Sequence, residues 1–310
     1  MTATASSYAP VASPAPAWRS ILFVPATSDR FVESALRQPA DALQIDLEDS
    51  VAPDQKAQAR ERVAAIADRF SQAGYGVVVR VNRAWRLLVR DLEASVRASV
   101  QAVTVPKVTD ASMVRAVAEI LLDLELAAGL QPGHTRIIAM IEDAQGLHHM
   151  ADIACAHPRV QAIIVGAEDL AVSLQMSVAD DGLYVPNVMA VAAARRAGVT
   201  PLGFIGSVAD FKDEDEFRAK LERARRLGFE GTFCIHPKQV AIANSAFGPD
   251  PAEVSHAREL LVEFDAQLAA GRAAFTFKGR MVDLPVVEQA RVLVRRHEAV
   301  QRLELRRAPA

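Results

Sequence analysis

From Arg19 to residue 248 one pattern recurs eight times: a short β-rich apolar run, a polar residue at its end, then a longer amphipathic stretch. The runs are SILFV (20–24), ALQID (42–46), GVVVRV (76–81), QAVTV (101–105), RIIAMI (136–141), QAIIV (161–165), TPLGF (200–204) and GTFCI (231–235). Between them, 54–70, 111–128 and 213–227 carry helical periodicity. The last has acids in its first turn and Arg225 and Arg226 near its end, as the helix dipole favours. Strands alternating with helices pair in parallel through right-handed crossovers, and a count of eight predicts an α/β fold of the closed (β/α)8 TIM-barrel type. A doubly wound open sheet is the competing architecture. It is disfavoured because no G-x-G-x-x-G follows the first run.

The segments flanking the repeats are different in kind. Residues 1–18 are rich in Ala, Ser and Pro, with no basic start and no compact apolar core, and are expected to form a disordered arm rather than a signal peptide. Residues 249–310 hold two helical stretches, 251–272 and 284–307, around AFTFKGRMVDLP (274–285). They are expected to form a C-terminal helical extension, a lid or an oligomer arm. A net charge of −3 gives no reason to expect nucleic acid or an anionic membrane as partner. No apolar run approaches the roughly 20 residues needed to span a bilayer. The cysteines, Cys155 and Cys234, have no metal-binding spacing and sit in apolar surroundings. They are expected to pack, and they point to a reduced, cytoplasmic compartment.

In a barrel of this type chemistry gathers at the carboxyl ends of the strands. Those ends carry Pro25, Asp46 with Glu48 and Asp49, Arg80 with Asn82, Lys107, Glu142, Glu168 with Asp169, and His236. Any one polar strand end is explained by the chain surfacing; so many together describe an acidic mouth. Glu142 and Asp169 end adjacent strands, and a carboxylate pair without nearby His or Cys suits a hard cation such as magnesium. Acid/base work by the pair without metal is the alternative, although only 5% of residues are aromatic and sugar clefts usually need aromatic platforms. Arg80 suits a carboxylate or a developing enolate oxygen, or a structural salt bridge to Asp46, Glu48 and Asp49; both roles are compatible. Lys107 is expected to pair with rim acids rather than to act as a Schiff-base former. His236, before a proline at a helix start, reads as a capping or packing residue. Asp283, just before the last helix, reads by pattern as an N-cap neighbour.

The motifs RSILFVPA, DLEDSVAPDQKAQAR, VRVN, VPKV, MIEDAQG, VGAEDLA and CIHPKQVAIAN resemble, in order, those of the citrate lyase β-subunit-like lyases of the HpcH/HpaI aldolase family. The tail KGRMVDLPVVEQARVLV is similar to that of the malyl-CoA and citramalyl-CoA lyase branch. The resemblance implies a cytoplasmic lyase that cleaves or forms a carbon–carbon bond in a 3-hydroxy-acyl-CoA, releasing glyoxylate or pyruvate. It implies magnesium on Glu142 and Asp169, Arg80 polarising the substrate, and Asp46, Glu48, Asp49 and Lys107 supporting both. Phe23, Arg30, Arg80, Ala167, Glu168, Ile235 and His236 would contact substrate or CoA. Asp283 would be an acid/base supplied to a neighbouring copy in a homotrimer or a hexamer. The related alternatives are a citrate lyase β subunit acting on an acyl-carrier-protein thioester and an aldolase of free 2-oxo acids. The sequence departs from the pattern at several points, among them LQMSVADDGLYVPN (174–187), which lacks the longer insertion of malyl-CoA lyases. Ala26 replaces the glycine of the FVPG turn, Ser28 and Ser34 stand where basic side chains contact CoA phosphates, and Asp143 replaces a small or hydroxyl residue beside the metal.

Overall fold

The structure, a computed structural model, describes residues 16–209 and 213–307, so the arm as far as residue 15 lies outside the described residues. The chain divides into two compact units, Met1–Ala246 and Phe247–Ala310.

The first unit alternates strand and helix, with two helices in succession between its sixth and seventh strands. Its elements run β1 (Ser20–Pro25), α1 (Asp29–Ala35), β2 (Ala42–Asp46), α2 (Lys56–Gln72), β3 (Gly76–Arg80), α3 (Trp85–Ser95), β4 (Ala102–Val105), α4 (Ala111–Ala127) and β5 (Arg136–Ile141). They continue with α5 (Ala144–Ala154), β6 (Val160–Val165), α6 (Ala167–Leu174), α7 (Asp180–Ala197), β7 (Thr200–Leu202), α8 (Glu214–Leu227), β8 (Thr232–Cys234) and α9 (Pro237–Phe247). The eight strands are parallel in the order β7-β6-β5-β4-β3-β2-β1-β8. The ring is completed between β7 and β8 by a parallel bridge from Leu202 to Gly231. There Gly203 N–H donates to the Gly231 carbonyl at 2.8 Å and Glu230 N–H to the Pro201 carbonyl at 3.0 Å. The fold is therefore a (β/α)8 barrel, and the open sheet is excluded.

Strands buried on both faces explain the unbroken apolar runs: Val77, Val78 and Val79 are fully buried, as are Ile137, Ile138 and Ala139. At the amino-terminal rim, buried ion pairs tie elements together. Arg19 grips Asp41 through Nε at 2.8 Å and Nη2 at 2.9 Å. Arg159 grips Glu125 through Nη1 and Nη2, each at 2.6 Å. Trp18, which the composition had grouped with the arm, is buried against Gly76, where a Cβ would come within 2.6 Å of the indole.

The second unit comprises α10 (Pro251–Ala269), an antiparallel hairpin of β9 (Phe275–Phe277) and β10 (Arg280–Val282), and α11 (Leu284–Arg307). Lys278 and Gly279, at φ 46° and 80°, form the two-residue turn that the hairpin twist requires. Its own core gathers Ala257, Leu260, Phe264, Val282, Val287 and Ala290. Among the described residues, no helix is long and apolar enough to cross a membrane.

Candidate active site

A cavity of about 730 Å³ opens at the carboxyl ends of the strands. Its wall includes Phe23, Asp46, Asp49, Arg80, Glu142, Ala167, Glu168, Asp169, Ile235 and His236, with Arg30 and Ser34 at the rim. The acids that end the apolar runs thus face one space instead of the core.

Arg80 is the best fixed of these residues. Its Nε and Nη2 donate to the two oxygens of Asp46, each at 2.7 Å. Its Nη1 lies 2.9 Å from Glu48 and 3.6 Å from Asp49. The Phe23 ring packs against the guanidinium, with Cζ 4.7 Å from the ring centroid. Burial alone would lower the Arg80 pKa, but Asp46, Glu48 and Asp49 more than offset it and push it up. The side chain remains a cation, and its five N–H donors exceed those the acids occupy. Burial is likewise the largest influence on Asp46 and would raise it; the Arg80 hydrogen bonds, with those from Ser50 and Glu48, hold it below its ordinary value. Arg80 thus makes the salt bridge foreseen for it and also lines the cavity.

Glu142 is 5% exposed, and its Oε2 accepts the Lys107 backbone N–H at 2.7 Å. Burial, reinforced by Glu48, pushes its pKa up to about 7. Gly166 leaves the space this side chain occupies, since a Cβ there would stand 2.6 Å from both Cγ and Oε1 of Glu142. Asp169, in the first turn of α6, is half-exposed. Lys107 connects the two acids: its backbone holds Glu142 while its Nζ lies 3.4 Å from Asp169 and 3.4 Å from Glu48. It does so from a left-handed conformation, φ 51°, which costs a non-glycine residue about 1 kcal/mol or more. Burial lowers the Lys107 pKa, but Glu48, Asp49, Asp169 and Glu142 raise it further than burial lowers it. A protonated lysine paired with rim acids is what the sequence predicted, and it is a poor Schiff-base former.

The remaining predicted residues are placed as follows. Ser207 donates its hydroxyl to Glu168. Ile235 is exposed at the mouth, and the His236 ring accepts the Lys238 N–H through Nδ1 at 3.2 Å, a capping contact. Ser28 caps α1 through the Phe31 N–H. Asp143 caps α5 by accepting the Gly146 N–H at 2.6 Å. Ala26 is not among the positive-φ residues, so replacing glycine there introduces no strain. Asp283 lies in the second unit, where its carboxylate accepts the Val286 N–H at 3.4 Å at the start of α11. Cys234 packs as expected, its thiol pKa pushed up by burial, whereas Cys155, also expected to pack, is exposed; both are free. Gly166, Ser207 and Gln239 were missed. The only trace of the first is a glycine immediately before an acid-rich turn, and of the last an amide two residues after a helix-starting proline.

The HpcH/HpaI aldolase/citrate lyase family matches residues 19–237, and the chain belongs to that family of lyases. It is 35% identical to an L-malyl-CoA/beta-methylmalyl-CoA lyase of Cereibacter sphaeroides, over 93% of this chain and 97% of that one. It is 34% identical to the citrate lyase subunit beta of Escherichia coli, over 90% and 93% respectively. Among solved structures, the protein CitE from Mycobacterium tuberculosis in complex with magnesium, acetoacetate and coenzyme A superposes with a TM-score of 0.68 at 29% identity. That match covers 92% of this chain and 99% of CitE. The chain is accordingly an enzyme of the lyase class.

Proposed function

We propose that the mouth of the barrel is the active site of a magnesium-dependent carbon–carbon lyase. Its substrate would be a 3-hydroxy-acyl-CoA such as malyl-CoA or citramalyl-CoA, cleaved to an acyl-CoA and glyoxylate or pyruvate, or formed from them by Claisen-type condensation. The observation that carries the reading is the convergence on one cavity of a carboxylate pair, Glu142 and Asp169, and a guanidinium clamped by acids. The relatives named as malyl-CoA lyase and the CitE complex with magnesium and coenzyme A support the same class.

The donor set fits the metal. Two oxygen ligands, with room for waters and substrate oxygens, are what magnesium ordinarily takes from a protein, and the bare backbone of Gly166 leaves the Glu142 carboxylate the space it occupies. Glu142 and Asp169 would hold magnesium, which would supply Lewis acidity that lowers the pKa of the substrate hydroxyl. In cleavage the hydroxyl proton passes to solvent, its oxygen becomes the carbonyl of the oxo acid, and the carbon–carbon bonding pair passes into a thioester enolate. Arg80 meets that negative charge with a cation fixed before the reaction, which avoids reorganisation. Asp283 protonates the enolate carbon, and in condensation it removes the same proton. This last assignment rests on the family resemblance alone, which implies an acid/base supplied to a neighbouring copy in a homotrimer or hexamer. The two free cysteines favour a cytoplasmic setting.

A second reading concerns the carrier. Ser28 is engaged as a helix cap and Ser34 offers the rim a hydroxyl, with Arg30 the exposed guanidinium nearby. That favours testing an acyl-carrier-protein thioester and a free 2-oxo acid beside CoA. Presenting the purified protein with malyl-CoA, citramalyl-CoA, the corresponding carrier-protein thioester and free 4-hydroxy-2-oxo acids separates the readings. Glyoxylate or pyruvate released from CoA thioesters alone supports the first; release from the carrier-protein thioester or the free acid alone replaces it.

A further inference from the structure

Gln239, in the first turn of α9, is 1% exposed, and both ends of its amide bond the loops around the mouth. Its Oε1 accepts the backbone N–H groups of Ile235 at 2.8 Å and His236 at 3.1 Å. Its Nε2 donates to the Val208 carbonyl at 2.8 Å. Ile235 and His236 follow β8, Val208 follows β7, and all three line the cavity. Beside Val208, Ser207 donates to Glu168 in α6 and accepts the Ala209 N–H at 2.9 Å. One buried side chain therefore joins the turn after β8 to a loop that is itself fastened to the turn after β6.

This is also where the barrel has least regular pairing to hold its rim. β7 and β8 meet through the single bridge from Leu202 to Gly231, and the loop that follows β7 turns on Gly203 and Gly206, at φ 123° and 140°. A backbone free to take such conformations holds one shape only if something outside it fixes the carbonyls and amides. Gln239 supplies that fixation. In the ring order β7 stands opposite β3, the strand that carries Arg80.

We propose that Gln239 is a positioning residue for substrate binding: it sets the form of the β6–β8 side of the mouth, across the cavity from Arg80. It touches no reacting atom, so its loss should weaken binding rather than slow the bond-breaking step. The kinetic test rests on the lyase reading and uses whichever thioester the wild type cleaves. Gln239→Glu keeps an acceptor for the Ile235 and His236 amides but sets an oxygen against the Val208 carbonyl; Gln239→Leu removes all three bonds. The expected result is KM raised about tenfold in Gln239→Glu and further in Gln239→Leu, with kcat within about threefold, in line with the cost of a displaced positioning group. A purely structural residue would lower Tm and leave KM of the folded enzyme unchanged; that result, or a fall in kcat at constant KM, overturns the proposal. If neither Gln239 variant folds, Ser207→Ala releases the same loop from Glu168 and should also raise KM; an unchanged KM counts against the proposal. If the wild type cleaves no thioester, the lyase reading fails separately. The role of Gln239 is then read by amide hydrogen exchange over 203–209 and 235–236, expected to accelerate in Gln239→Leu while β2 to β4 stay protected. Unchanged exchange there overturns it.

Discussion

A missing carbon at Gly166 governs where Glu142 can stand. Any side chain there would meet Glu142 at 2.6 Å, and Glu142 is anchored on its other side by the Lys107 N–H. Gly166→Ala should therefore displace the carboxylate and weaken magnesium binding about 10- to 100-fold, read by titration calorimetry, the range typical of disturbed supporting contacts. Wild-type affinity in this variant would remove Glu142 from the metal site. Arg80→Lys should lower kcat by about 10²-fold or more, because an ammonium can neither clamp Asp46 through two parallel bonds nor keep a planar donor face towards the substrate. At this scale the sequence was legible where charge interrupts an apolar run: Arg80, Glu142 and Asp169 all announce themselves so. It was not legible at Gly166, where the signal is an absent side chain, nor at Gln239, an uncharged amide whose partners are backbone atoms contributed by two loops. The role proposed for Asp283 comes from the family resemblance alone; its local pattern and its contact with the Val286 N–H are those of a helix cap.

The elements divide their ionic groups between the two rims. At the carboxyl ends of the strands the acids face a cavity; at the amino ends Glu125 of α4 and Arg159, just before β6, form a closed pair. Burial, the largest influence on Glu125, raises its pKa, yet Arg159 and the N–H groups of Thr135 and Gly133 hold it below the ordinary 4.5. Because the folded-state pKa is lowered, the pair's stabilisation is complete above about 4.5 and is lost as pH falls through the folded value. Urea midpoints measured from pH 7 downward should fall below pH 4.5 in the wild type, and that acid-induced fall should be smaller in Glu125→Gln. Equal falls in the two would show that Glu125 is not part of the acid transition. Arg159→Leu at pH 7 should cost about 3–5 kcal/mol, since it strands a buried carboxylate. The strands themselves were readable from their β-rich runs, and six of the eight keep nearly the predicted bounds. TPLGF and GTFCI shorten to three residues each: Gly203 at φ 123° ends β7 at Leu202, and the β8 turn begins where Gln239 takes the Ile235 amide. Neither cause has a hydropathy signature.

For the whole molecule, eight alternations were enough to imply a closed ring, but the closing seam depends on a single bridge that no periodicity reveals. The proposed assignment of Asp283 to a neighbouring copy would make the assembly part of the chemistry. Asp283→Asn and Glu142→Gln proteins should each be inactive, the first with magnesium binding intact, and should regain activity when refolded together, because some sites then combine an intact Glu142 with an intact Asp283. No recovery in mixed assemblies would place Asp283 outside the reaction or within its own copy's site. The central claim, that the acids at the mouth serve a metal-dependent lyase, is tested most directly by following glyoxylate, pyruvate and thioester products from malyl-CoA and citramalyl-CoA before chelation, after chelation and after magnesium is returned. The account predicts cleavage of at least one thioester that stops on chelation and resumes with magnesium. Cleavage that persists undiminished in chelator, or no cleavage of either thioester by protein shown to bind magnesium, would contradict it.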